Sequence, residues 1–198
     1  NIEIIKSEVV SILGASGAGK TTLLNILSTL DKPDLNTGCS LTINNFDIFS
    51  LKNDDLAKLR NKQIGFVFQF HELIPELNVL ENVCLPGWIN MDETVKSRAK
   101  ELLDYFGLIE LSDKKPSTLS GGEKQRVAIA RSVINKPKII FADEPTGNLD
   151  SKNSKILYDL FFKLRDDHNC SIVIVTHDEK NANMCDRKLS IIDGRIKN

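Results

Sequence analysis

No run of apolar residues in this chain approaches the roughly 18 needed to cross a bilayer, and no signal peptide is visible at its start. Cysteine is sparse: Cys39, Cys84, Cys170 and Cys185 are scattered and form no C-x-x-C pair. They read as reduced, mostly buried small hydrophobes, which excludes a disulfide framework or a thiolate metal site. Excess charge is also lacking, because 26 basic against 27 acidic residues leave a formal net charge of -1. Bulk electrostatics therefore gives no argument for binding nucleic acid or an anionic membrane surface. Repeats and low-complexity segments are absent too. What is present is 198 residues, 41% of them hydrophobic, enough for one or at most two units with a substantial core. The expectation is a cytosolic protein that serves a membrane, if at all, through a partner.

Short apolar runs ending in small or acidic residues mark buried strands: "VVSIL" (Val9–Leu13), "IGFVF" (64–68), "IIFAD" (Ile139–Asp143) and "SIVIVT" (Ser171–Thr176). Helices are expected from Lys20 to Leu30, ended by Asp31-Lys32-Pro33, and from Asp54 or Asp55 as cap through Arg60. Others are expected over 95–106 with Gly107 as stop, from Ser120 to about Asn135, and over 154–165. Asn44-Asn45 and Asp193-Gly194 read as turns, the second closing a terminal hairpin. Strand signals fade between His71 and Pro137. The pattern is an α/β core (1–69 and 138–198) with a small antiparallel β part, interrupted by a helical insert over 70–137.

The chemistry gathers at the strand ends. "GASGAGKTT" follows a strand and opens a helix, the context in which a glycine-rich loop curls its N–H groups around phosphate oxygens. Gly14, Ala15, Ser16, Gly17, Ala18 and Gly19 form the cradle. Lys20 reaches the β- and γ-phosphates, Thr21 offers its hydroxyl to Mg²⁺, and Thr22 lies near the α-phosphate. "IIFADEP" delivers Asp143, which holds Mg²⁺ through water, and Glu144, placed to polarise an attacking water. His177, after "SIVIVT", falls on the same sheet edge and suits a γ-phosphate sensor. Gln69, at a fourth strand end, carries an amide suited to Mg²⁺ or to the water. Taken singly, each has an ordinary explanation: a tight turn, a solvated strand end, a packed histidine.

"LSGGEKQRVAIAR" (119–131) sets two glycines where a helix begins, with Ser120 as N-cap and Glu123 completing a capping box. With "GASGAGKTT", Gln69, "IIFADE", "NLD" and His177 in this order, the chain resembles the ATP-binding cassette ATPases over nearly its whole length, from about Val9 onward. The resemblance implies a P-loop NTPase core of RecA-like type and ATP with Mg²⁺ as ligands. It implies that Ser120, Gly121 and Gly122 act in trans, facing the γ-phosphate held by a second copy of the chain. Asp150 in "NLD" is placed to meet that second copy.

Within the family, "FVFQFHELIPELNVLENVCLP" and "LSGGEKQRVAIARSVINKPKIIFADEPTGNLD" look most like the lipoprotein-releasing group, the LolD ATPases with their MacB and FtsE relatives. This implies a peripheral ATPase on the cytoplasmic face of the bacterial inner membrane, driving integral LolC- and LolE-like subunits and touching no nucleic acid. Division ATPases of FtsE type and exporters of MacB type are the alternatives. A DNA- or ribosome-acting cassette is disfavoured by the single short cassette, and a nucleotide kinase lacks "LSGGEKQ". The chain departs from the family at its start: thirteen residues precede Gly14 and none is aromatic. Either an upstream segment outside this sequence carries the adenine-stacking ring, or that stacking is absent; the 198 residues alone are expected to bind nucleotide weakly, and upstream residues to raise the affinity. Finally, Phe70, Leu73, Ile74, Leu77, Val79 and Leu80 are more apolar than a connection requires. Leu73 or Leu77 is expected at the surface of a groove for a membrane-subunit helix.

Overall fold

The computed structural model describes residues 1–34 and 38–197. Strand β1 (Val9–Leu13) leads through a glycine-rich turn into α1 (Lys20–Leu27). A small hairpin, β2 (Thr42–Ile43) and β3 (Phe46–Asp47), turns at Asn44 and Asn45, both at positive φ, which asparagine tolerates. Then come α2 (Asn53–Gln63) and β4 (Ile64–Val67), followed by α3 (Val79–Ile89), α4 (Val95–Tyr105) and α5 (Gly121–Val133). The chain continues with β5 (Ile139–Asp143), α6 (Ser151–His168), β6 (Ser171–Thr176), α7 (Glu179–Ala182), β7 (Arg187–Ile192) and β8 (Arg195–Lys197).

The main sheet has the order β4-β5-β6-β1-β7-β8, parallel except for the β7–β8 hairpin. Alternate side chains of its central strands enter two separate cores, so these strands read as continuous apolar runs. Ile140, Ala142, Ile172 and Ile174 pack beneath residues of α3 to α6, whereas Phe141, Val173, Val175, Val10 and Ile12 pack against α1 and α2. Because β1, β4, β5 and β6 are parallel, the turns that follow them share one sheet edge. This places the glycine-rich loop, Gln69, the Asp143-Glu144 pair and His177 on that edge. The α/β class with a small antiparallel part is as expected.

Several elements differ from the sequence expectation. Helix α1 stops at Leu27, not Leu30, because Thr29 adopts a left-handed φ of 65° and breaks the ladder. Asp54 and Asp55 lie in the first turn of α2, where they favour the helix dipole, but the N-cap is Lys52. Helix α6 begins at Ser151, earlier than expected, because Asp150 caps it through the Asn153 N–H at 2.8 Å. Helix α3 was not legible at all, since its buried Val79, Leu80, Asn82, Val83, Cys84 and Gly87 leave no single stripe, and Pro86 sits inside it. The available signal was its capping box, Asn78 with Glu81 three residues on.

Helices α3 and α4 approach closely at Gly87, where a Cβ would lie 2.2 Å from Val95 Cγ2. Gly87→Ala is thus expected to overpack this contact and cost about 1–3 kcal/mol. The measurement is a fall in the denaturant midpoint with an unchanged m-value. The carbonyl of Pro86 accepts from Asn61 and Asn135 side chains, both at 3.1 Å, tying the end of α3 to α2 and to the turn before β5.

Candidate functional site

Gly17 and Gly19 take φ values of 79° and 95°, which let the loop wrap inward before α1 begins. Lys20 is buried, and its Nζ donates to the carbonyls of Gly14 at 2.8 Å and Ala15 at 3.0 Å. The lysine is held inside the curl of its own loop, while Ala15, Ser16 and Gly17 stay exposed. Its ammonium also lies 3.9 Å from Glu144 Oε1. Thr21 Oγ1 donates to Asp143 Oδ2 at 3.2 Å, and Thr22 is exposed on the same first turn.

The Asp143 carboxyl is pushed above its ordinary range by burial, against the hydrogen bond from Thr21, with the neighbouring charge of Glu144 adding to the rise and Lys20 opposing it. Its Oδ1 is buried without a hydrogen-bond partner. A hydroxyl and an unpaired carboxylate oxygen side by side fit a hard divalent cation that takes its other ligands from phosphate and water. Glu144 has a φ of 46°, and its N–H donates to Val175 at 2.9 Å. That left-handed backbone turns its side chain toward the sheet edge, where Oε2 lies 2.7 Å from His177 Nδ1. The His177 ring is 65% exposed, so its other face is open to a ligand.

A cavity of about 480 Å³ lies against this loop, lined by Gly14 to Ala18, His177 and the segment 190–193. Sequence reasoning missed that last wall, formed by β7 and its turn. The Gly194 N–H also donates to the Ala18 carbonyl at 3.0 Å, so the terminal hairpin braces the loop.

Two sets of expected residues stand apart from this cluster. Gln69 leans toward the loop after β5. Its carbonyl accepts from Asn148 at 3.4 Å, and its Nε2 would meet a Cβ on Gly147 at 3.0 Å. No described hydrogen bond joins Gln69 to Thr21 or Asp143. The cap of α5 forms as expected: Ser120 Oγ and N–H both donate to Glu123 Oε2, at 2.6 and 2.7 Å. Ser120 and Gly121 are exposed, and a Cβ on Gly121 would meet nothing within 4 Å. No described hydrogen bond links Ser120, Gly121 or Gly122 to the glycine-rich loop of the same chain. The first turn of this 13-residue helix thus keeps Ser120 and Gly121 exposed beside the capping box. Asp150 is occupied as the cap of α6 and remains exposed.

Residues 1–147 match the ABC transporter family. The chain belongs to that family. It is an ABC transporter ATP-binding subunit, an enzyme that hydrolyses ATP. This ABC ATPase is similar to the lipoprotein-releasing system ATP-binding protein LolD of Bacteroides fragilis, with 52% identity over 99% of this chain and 90% of that one. It is similarly close to the LolD protein of Cytophaga hutchinsonii, with 51% identity over 99% of this chain and 89% of the other. Among solved structures, it resembles the ATP-binding cassette MJ0796, a dimer in a post-hydrolysis state bound to ADP and Pi. There the identity is 42%, the coverage 100% of this chain and 88% of the other, and the TM-score 0.86. CbiO1 of Clostridium perfringens, part of the transporter complex cbiONQ, matches with 31% identity, coverage of 100% and 78%, and a TM-score of 0.89.

A second cavity, of about 530 Å³, separates α2 and β4 from the end of α3 and α5. Its apolar lining includes Ile64, Phe66, Phe68, Ile74, Leu85 and Ile89. Leu73 and Leu77, expected at the surface of a groove, do not line this cavity. Leu73 packs against the core and Leu77 is half-buried, whereas Phe70 is 70% and Ile89 66% exposed.

Proposed function

We propose that two copies of this chain hold Mg·ATP between them and drive integral inner-membrane subunits of LolC and LolE type that release lipoproteins from the bacterial inner membrane. The carrying observation is the division of the site: one edge gathers Lys20, Thr21, Asp143, Glu144 and His177, while the open α5 N-terminus stands apart. A second copy brings its Ser120, Gly121 and Gly122 to the γ-phosphate; the similar cassette MJ0796 is solved as a dimer bound to ADP and Pi, which supports a two-copy reading. The LolD relatives supply the lipoprotein-releasing reading. The same LolD likeness supports a peripheral location on the cytoplasmic face; among the described residues no helix is long and apolar enough to cross a membrane.

In this reading the loop from Gly14 to Gly19 wraps the phosphates, Lys20 leaves its two carbonyls for the β- and γ-oxygens, and Thr22 meets the α-phosphate. Thr21, Asp143 and Gln69 would hold Mg²⁺, which neutralises the phosphate charge during transfer. Glu144 polarises the attacking water, and His177 orients Glu144 while sensing the γ-phosphate. Gln69 rests beside Gly147, and its amide would have to turn toward Asp143 to join the Mg²⁺ ligands. The segments 1–69 and 138–198 act as the nucleotide-binding core, and 70–137 as the helical subdomain that presents the signature.

The test is reconstitution with LolC- and LolE-type subunits in proteoliposomes carrying a labelled lipoprotein. ATP should transfer the label to a soluble acceptor; brisk hydrolysis without transfer would overturn the lipoprotein reading but not the ATPase. We propose further that the second groove receives a short apolar helix of the membrane subunit. Ile89→Glu is expected to abolish co-purification with those subunits and partner-stimulated hydrolysis, while basal hydrolysis persists. An Ile89→Glu variant that still co-purifies would show that the groove is not the contact.

A further inference from the structure

Arg131, in the last turn of α5, spends its guanidinium on the chain that follows Gln69. One terminal nitrogen donates to the carbonyl of Glu72 at 2.6 Å and the other to that of His71 at 2.7 Å. These two carbonyls are consecutive, and a planar fork spans them as a lysine cannot. His71 and Glu72 are also consecutive left-handed residues, with φ of 66° and 48°, and neither is glycine. L-residues disfavour that conformation, so something must hold it. The turn is closed from within by His71 N–H to Phe68 at 3.1 Å and Glu72 N–H to Phe70 at 2.7 Å. Gln69 lies inside those bonds. Its backbone is fixed on one side by β4 and on the other by the turn that Arg131 grips. The His71 ring reaches the backbone of Gly121 at the opposite end of α5, and burial holds its imidazole below the ordinary value.

We propose that Arg131 is a positioning residue for the hydrolysis reaction: its fork locks the left-handed pair His71-Glu72 and so sets where the Gln69 amide stands relative to the cation site. The same grip joins the Gln69 segment to the helix whose N-terminus carries Ser120, so the two move as one body. This rests on the reading of Gln69 as a cation-side residue.

The experiment measures the Mg²⁺ concentration for half-maximal ATP hydrolysis at saturating ATP, alongside Mg²⁺-free binding of a fluorescent ATP analogue and thermal midpoints. Gln69→Ala sets the reference. Arg131→Met, which keeps the stem and removes the fork, is expected to raise the Mg²⁺ requirement on the order of tenfold, leaving Mg²⁺-free nucleotide binding intact. Adding Glu72→Gly to Arg131→Met should recover part of that loss, because glycine enters the left-handed region without help. A merely structural role for Arg131 in α5 would not be rescued by that change. Should Arg131→Met fail to fold, Arg131→Lys serves in its place, with a smaller rise and the same rescue expected. A raised requirement in Gln69→Ala with a wild-type value in the Arg131 variant overturns this inference alone. A wild-type value in Gln69→Ala overturns the reading of Gln69, and this inference with it. A raised requirement that Glu72→Gly does not relieve also overturns it.

Discussion

Lys20→Ala is expected to abolish ATP hydrolysis while the fold survives. The lysine ammonium is held by two loop carbonyls and stands 3.9 Å from Glu144, and in the proposed reading it is the cation that meets the phosphate charge. Removing one preorganised donor of this kind typically lowers turnover by about 10²–10³-fold. Here the loss should be larger, because Lys20 also neutralises the Asp143-Glu144 pair, whose repulsion would then oppose nucleotide entry. Structure should be retained, since the loop closes through its own backbone, with Ala18 N–H on Ala15 at 3.2 Å and Leu23 N–H on Gly19 at 2.9 Å. The measurements are phosphate release, ATP-analogue binding and circular dichroism. A folded variant that hydrolyses ATP at the parental rate would remove Lys20 from the site.

Glu144→Gln is expected to have the second largest effect, in a different observable. The amide keeps the shape of the side chain and its contact with His177 but can no longer accept a proton from water. Loss of a positioned general base costs typically 10²–10⁴-fold. ATP should still bind, so the variant accumulates as a closed dimer, visible by light scattering with ATP. Adding Ser120→Arg should prevent closure by crowding the partner's phosphate. That substitution also removes the cap of α5, at a cost of about 1 kcal/mol. Ser120→Asp is the cleaner companion, because aspartate keeps the cap and sets a negative charge where the phosphate must arrive. If either double variant closes as readily as Glu144→Gln alone, Ser120 does not face the second nucleotide.

Much of the site was legible because its chemistry is tied to local context. A strand that runs through glycines into a helix opening with lysine suits phosphate, so Gly14 to Thr22 can be proposed as a phosphate loop from order alone. The capping box of Ser120 and Glu123 formed as its spacing implies, since both partners lie within one turn. Other features were invisible because their cause lies far along the chain. The Gln69 side chain rests beside Gly147, a neighbour no spacing rule supplies. Leu73 and Leu77 seemed surface candidates as long as α3 went unrecognised; once α3 forms, its Ile89 and the preceding Ile74 line the groove instead.

By itself, the sequence determined that this is an α/β ATPase of the cassette type. Strand, loop and helix signals are short-range, and the apolar runs of β1, β5 and β6 require burial on both faces. Only the tertiary structure decided the rest. Parallel pairing brought four strand ends, from residues 13 to 177, onto one edge, which put Glu144 between Lys20 and His177. It set the exposed first turn of α5 apart from the glycine-rich loop of its own chain, with no described hydrogen bond between them. And it placed the Arg131 fork on the carbonyls of His71 and Glu72, about 60 residues away in sequence. Contacts of that span depend on how helices pack across the sheet, which no local pattern records.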